Sequence, residues 1–243
     1  MRHDLAVRWI TGLFALVTAC GPRPQQPAPL IPPPPRLAPF AVSELMLVPG
    51  ELLQWDVRVG SLDLGRAELA TEDGEIHSAF RTNQVAALLG TMRHELVTTL
   101  EGSRAVASQE LLALGGETTE VSARFDGAQL TVDTNRRTVP GNQQAQTLHT
   151  AIAWLRAWAQ DDARAGFLFV LHMGELYRLD VEPPVPDARG GGRALRIAAR
   201  AGVYGSQDDP VSIVVWLRDD PARTPIELRL ASGQLVVTAR LRQ

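Results

Sequence analysis

From residue 50 onward, apolar and polar side chains alternate along most of the chain. Leu53, Trp55, Val57 and Val59 interleave with Gln54, Asp56 and Arg58. This is the period-two pattern of a strand with one buried face. Leu62–Leu69 reads as its hairpin partner across Gly60-Ser61. Further strands are expected at 75–81, 95–101 and 105–112, and at 119–125 and 129–133 around the Asp126-Gly127 turn. After residue 160 the alternation resumes at 167–173, 175–181, 193–199, 211–217, 225–230 and 234–242. One segment departs from it. Over 146–160, Leu148, Ile152, Leu155 and Ala159 recur at helical spacing beside Ala151, Trp154 and Trp158. That predicts one central amphipathic helix, with a loop at Pro140-Gly141-Asn142 before it. Pro183-Pro184 and Gly190-Gly191-Gly192 are expected to bound a long loop. The fold class expected is mainly β: a curled antiparallel sheet or barrel-like domain, the helix covering an opening or packing on a face.

The first forty residues follow other rules. Arg2 and Arg8 precede a short apolar run, Trp9–Val17, and small residues Thr18 and Ala19 lead to Cys20, the only cysteine. The order is that of a secretory signal, and the run is shorter than the roughly 20 residues a spanning helix needs. The Leu16-Val17-Thr18-Ala19-Cys20 ending resembles the lipobox of bacterial lipoproteins. The resemblance implies cleavage before Cys20 and acylation of its thiol and new amine, and more than one acyl chain gives stable anchoring. Gly21, rather than Asp, follows the cysteine, which favours the outer membrane, facing the periplasm. Nine of the seventeen prolines lie between Gly21 and Pro39, so this stretch is expected to be a semi-rigid polyproline tether. The expected organisation is a cleaved signal over 1–19, a lipidated cysteine and tether over 20–43, and a β-rich domain over 44–243.

Composition narrows the classes. There is no lysine, and cleavage at Cys20 leaves a net charge of −4. That gives no basic excess for nucleic acid. With Cys20 lipidated, disulfides and thiolate metal sites are excluded.

The second half carries a further pattern. Val214-Val215-Trp216-Leu217-Arg218-Asp219-Asp220 leads to Arg223-Thr224-Pro225-Ile226-Glu227-Leu228 and a final Gly233-containing hairpin. With Gly50-Glu51, Gly65-Arg66-Ala67 and the helix segment Thr150–Arg156, this resembles exported bacterial proteins of the domain of unknown function 3108 family. Arg218 stands where the pattern has serine and Trp154 where it has tyrosine. The resemblance implies an exported β-domain and transfers no catalytic residue.

Motifs for chemistry are sparse. His94-Glu95 begins like a zinc-protease helix, but position 98 is Thr and the segment reads as a strand. His77, His149 and His172 show no ligand spacing, so neither metal nor cofactor is expected. The acidic pairs 161–162, 208–209 and 219–220 suit turns. The mature tryptophans Trp55, Trp154, Trp158 and Trp216 are candidates to line an apolar ligand cavity, weighed against filling the core. Two functions follow. The first is a non-catalytic, membrane-anchored envelope lipoprotein that binds an apolar ligand or an envelope protein. The alternative is an envelope-polymer hydrolase with carboxylates such as Glu51, Asp219 and Asp220 gathered by the fold.

Overall fold

The computed structural model describes residues 37–40, 44–88, 90–160 and 162–242. Cys20, the signal segment and most of the tether lie outside the described residues. The expected alternation is realised as two antiparallel meanders. The first comprises β2 (Leu52–Val59), β3 (Leu62–Glu72), β4 (Glu75–Thr82), β5 (Met92–Glu101), β6 (Arg104–Leu114), β7 (Glu117–Asp126), β8 (Gln129–Val132) and β9 (Asn135–Thr138). The second comprises β10 (Gly166–His172), β11 (Glu175–Val181), β12 (Val185–Arg189), β13 (Gly192–Val203), β14 (Val211–Arg218), β15 (Pro225–Ser232) and β16 (Leu235–Leu241). A short β1 (Ala38–Pro39) precedes both, and α1 (Leu148–Trp158) links them.

The meanders join into one sheet because the last strand, β16, pairs antiparallel with β2, setting Trp55 opposite Leu241 and Val57 opposite Ala239. The sheet then curls on itself. Phe169, Leu171 and Leu176 from β10 and β11 pack with Val121, Ala123, Phe125, Leu130 and Val132 from β7 and β8. Strand β10 is buried on both faces, since Leu168 and Val170 pack instead beneath α1. A strand buried on two sides loses the period-two signal and reads as a continuous apolar run, as Phe167–Leu171 does. Its outer edge is not left open: β1 pairs parallel with Gly166 and Phe167, and Gln146 bridges Val170. Covering an edge in this way blocks pairing with other chains.

The helix lies within the curl. Its start is set by a reciprocal cap: Thr147 Oγ1 accepts from the Thr150 amide at 3.2 Å, and Thr150 Oγ1 accepts from the Thr147 amide at 2.9 Å. Such caps contribute about 1 kcal/mol. The helix is therefore shorter than 146–160, because Gln146 is spent on the bridge to β10. Ala151, Trp154, Leu155 and Trp158 face the second meander, yet His149, Thr150 and Arg156 are buried as well. Its polar side faces a protein interior rather than solvent.

Two expectations are corrected. The stretch after Pro183-Pro184 is a strand, not a long loop: β12 pairs with the first half of β13, Val185 opposite Arg196 and Arg189 opposite Gly192. The prolines only interrupt one edge shared by β11 and β12, and Gly190-Gly191, both at positive φ, make the tight turn. Strand β9 also appears where no alternation marked it. Gly65 shows why a glycine sits inside a strand. At φ +154°, a side chain there would run into the Arg81 carbonyl of β4, beside the bulge at Val57/Arg58.

Candidate functional site

Inward-facing positions of β4, β5 and β6 are not uniformly apolar. Ser78, His94, Thr98, Ser108 and Glu110 interrupt the core surface there. A polar group taken out of water costs several kcal/mol unless it finds a partner; Ser78, Thr98 and Glu110 find partners outside the first meander, and His94 finds Glu110 on the neighbouring strand. His149 of α1 bridges two strands, with Nδ1 2.9 Å from Thr98 Oγ1 and Nε2 2.7 Å from Ser78 Oγ. Thr98 in turn donates to Thr147 Oγ1 at 3.1 Å. Burial pushes the His149 imidazole down to about 3, so the ring is neutral at ordinary pH.

Next to this network stands Glu110, 4% exposed. Its Oε1 lies 2.7 Å from His94 Nε2 and 2.6 Å from His172 Nδ1, and its Oε2 accepts from the Met173 amide at 2.6 Å. Burial pushes the carboxyl up, but the hydrogen bonds from His172, His94 and Met173 outweigh it and hold it well below the usual carboxylate range. Met173 has a positive φ in the turn between β10 and β11, which aims its amide at Glu110. Arg137 of β9 pins the same turn by donating from Nη2 to the Gly174 carbonyl at 2.8 Å. His94 comes from the first meander and His172 from the second, so the fold gathers on Glu110 two histidines whose sequence positions show no ligand spacing. The donor atoms of His94, Glu110 and His172 lie within 4.8 Å of one another.

The four tryptophans are buried but divided. Trp55 packs with Leu53, Leu69 and Ile76, and its indole donates to the Pro225 carbonyl at 3.1 Å. Trp216 packs with Ala194 and Ile226, donates to Asp187 at 2.8 Å, and carries the Arg189 guanidinium 4.8 Å from its ring centre. Only Trp154 and Trp158 stand together. Between them sits Phe40, the last described residue of the tether, at ring-centre distances of 4.9 and 4.8 Å. Gly166 makes room for it, since a side chain there would meet the Phe40 ring. A single cavity lined by all four tryptophans is thus not what the fold builds. Two of the open grooves on the surface have no tryptophan in their lining. One of about 900 Å³ runs along Asp63, Arg66, Arg81, Asn83 and Val85, and one of about 420 Å³ along Leu52, Gln54, Leu241 and Arg242.

Of the carboxylates put forward for hydrolysis, Glu51 and Asp219 are held by arginines, while Asp220 keeps a buried Oδ1 without a hydrogen-bond partner. Glu51 takes both terminal nitrogens of the buried Arg156 at 2.6 and 3.0 Å, and Arg156 also donates twice to the Ala222 carbonyl. Asp219 pairs with Arg193 and Arg223 at 2.8 and 2.7 Å. Asp220 shapes the same turn, its carbonyl accepting from the Arg223 amide. These contacts tie the helix, the start of β2 and the β14–β15 turn together, and they leave no free pair of facing acids among Glu51, Asp219 and Asp220.

The architecture is a large curled, barrel-like β-sheet around one enclosed helix. Among solved structures, the beta-barrel-like protein of domain of unknown function DUF1849 from Brucella abortus shares it, at 11% identity and a TM-score of 0.55, covering 79% of this chain and 95% of that one. The Mycobacterium tuberculosis lipoprotein LppX aligns over 79% of this chain and 84% of its own at 10% identity, but with a TM-score of 0.28 it carries no argument. No protein-family model and no curated protein matches the chain.

Proposed function

We propose that the chain is a non-catalytic, lipid-anchored envelope protein, held through Cys20 and its proline-rich tether, whose β-domain binds an apolar ligand. The placement in the outer membrane facing the periplasm, and membership in the domain of unknown function 3108 family, belong to the same reading. The observation that carries it is the aromatic seat of Trp154 and Trp158 under α1, occupied by the tether's own Phe40. A seat built for one aromatic ring accepts other apolar groups of similar section, because burial of apolar area is non-directional. The tether thereby couples anchor and site: whatever displaces Phe40 also frees the chain that leads to the membrane. The engagement of Glu51 and Asp219 by arginines supports a binding role over hydrolysis.

The test is native mass spectrometry with organic extraction on the full chain purified from bacterial envelopes. The expected result is one apolar molecule per chain, enriched in Phe40→Ala and lost in Trp154→Ala. Apo masses for both the wild type and a folded Phe40→Ala would reject the ligand. Incorporation of labelled palmitate, abolished by Cys20→Ala, tests the anchor separately.

A further inference from the structure

Among the described residues two glutamates are fully buried, Glu110 and Glu227. Glu227 is met by two guanidinium groups, those of Arg189 and Arg240. Glu110 is met by two imidazoles and a backbone amide, and by no guanidinium among its hydrogen-bond partners. We infer that His94, Glu110 and His172 form a binding site for one divalent transition ion, Zn²⁺ being the ion this set suits. This inference is independent of the aromatic seat.

The donor chemistry is two imidazole nitrogens and one carboxylate oxygen, which selects first-row transition ions over the oxygen-seeking Ca²⁺ and Mg²⁺. Three protein ligands leave a fourth position for water, the arrangement of an open zinc centre. The distances fit with little movement. Tetrahedral ligands at about 2.0–2.2 Å from zinc stand roughly 3.3 Å apart, and the three donors now span 2.6 Å to at most 4.8 Å. The carboxylate is already oriented. Its Oε2 is held by the Met173 amide, which leaves Oε1 facing both histidines. The Met173–Gly174 turn is itself fixed by Arg137. Support of this kind around a ligand is what sets affinity in metal sites. His94 Nε2 and His172 Nδ1 would bind as neutral imidazoles, their protons carried on the other ring nitrogen, so binding releases any proton they hold. The ion would also staple the two meanders, since β5 and β6 belong to one and the β10–β11 turn to the other.

The experiment uses the untagged full chain in detergent, stripped with chelator and titrated with Zn²⁺ alone against a chromophoric competitor. One equivalent should bind with Kd below about 1 μM, and saturating Zn²⁺ should raise the melting midpoint by stabilising the folded state alone. Co²⁺ should give a four- or five-coordinate visible spectrum. His94→Gln and His172→Gln, both at partly exposed positions, should each weaken binding at least tenfold while the circular dichroism spectrum stays that of a β-protein. These two carry the test if Glu110→Gln does not fold. Wild-type protein that binds Zn²⁺ no more tightly than the double histidine variant, or a six-coordinate Co²⁺ spectrum, would leave only a hydrogen-bonded clasp and overturn the site.

Discussion

Arginine and histidine solve the same problem in two parts of this molecule. Around Glu51 and Glu227 a carboxylate withdrawn from water is neutralised by arginine: Arg156 for the first, Arg189 and Arg240 for the second. For Glu227 the outcome is visible in its carboxyl, which burial pushes up but which hydrogen bonds from Arg189 and Arg240 bring below the usual range. Guanidinium is charged at every accessible pH and fits a carboxylate with two parallel bonds, so these pairs are structural fixtures. Around Glu110 the partners are imidazoles, whose ring nitrogens can bind transition ions. The difference marks which region is a fastening and which is able to respond to its surroundings.

The sharpest way to break the comparison is at Arg156. Its side chain is 4% exposed and its two terminal nitrogens hold Glu51 while its Nε and Nη2 hold the Ala222 carbonyl. Removing one partner of a buried pair strands the other, at a cost of about 3–5 kcal/mol. Arg156→Met should lower the urea unfolding free energy by that amount, with the loss constant between pH 6 and 8. Glu51→Gln combined with Arg156→Met should cost less than the two single changes together, because the stranded charge is gone. A loss under 1 kcal/mol in the single variant would show that the pair is not a fastening.

Much of the frame was legible in the alternation of side chains. The strands on either side of Asp126-Gly127, the helix around Trp154 and the final hairpin fall within a few residues of their expected places. The misses have physical causes. Asn135-Arg136-Arg137-Thr138 forms the edge strand β9 with no buried face, so it has no alternation to read. Prolines at 183, 184 and 186 argue against a central strand, and β12 is a short piece on the shared edge. The Glu110 centre was out of reach for another reason: His94 and His172 meet only because the sheet curls, and neither spacing nor motif encodes the curl. A signal did exist. His94 shares strand parity with Leu96 and Thr98, and Glu110 shares it with Leu112, so a charge and an imidazole stood at inward positions of adjacent strands.

The second prediction sharpens the histidine side, on chelator-treated protein. Folded His149 titrates at about 3 rather than 6.5, driven down first by burial, which outweighs the opposing pull of the Glu110 carboxylate. Below pH 6.5 the unfolded chain takes up a proton at this ring that the folded chain refuses. Stability therefore rises with pH across that window and is lost as pH falls, with a slope approaching ~1.4 kcal/mol per unit from this group. Between pH 6.5 and 5.5, above the range in which Glu110 begins to lose its own contribution, the wild type should lose about 1 kcal/mol in chemical denaturation. His149→Gln should start less stable and flatten that slope. An unchanged slope would mean that the ring is protonated in the folded state.

The smallest effect is expected at Arg240, and it tests whether arginine pairing is uniform. Glu227 is buried, but Arg240 is 65% exposed and reaches it at 3.0 Å from solvent. Arg189 holds the same carboxylate and stacks on Trp216, so Glu227 keeps a guanidinium when Arg240 is removed. Exposed partners contribute about 0.2–1 kcal/mol because water and salt screen them. Arg240→Ala should accordingly fall in that range and fade in high salt, whereas Arg156→Met should keep its cost there. If Arg240→Ala matched Arg156→Met, exposure would not be what separates the two pairs, and the division of the molecule into fastened and responsive regions would have to rest on the carboxylates themselves.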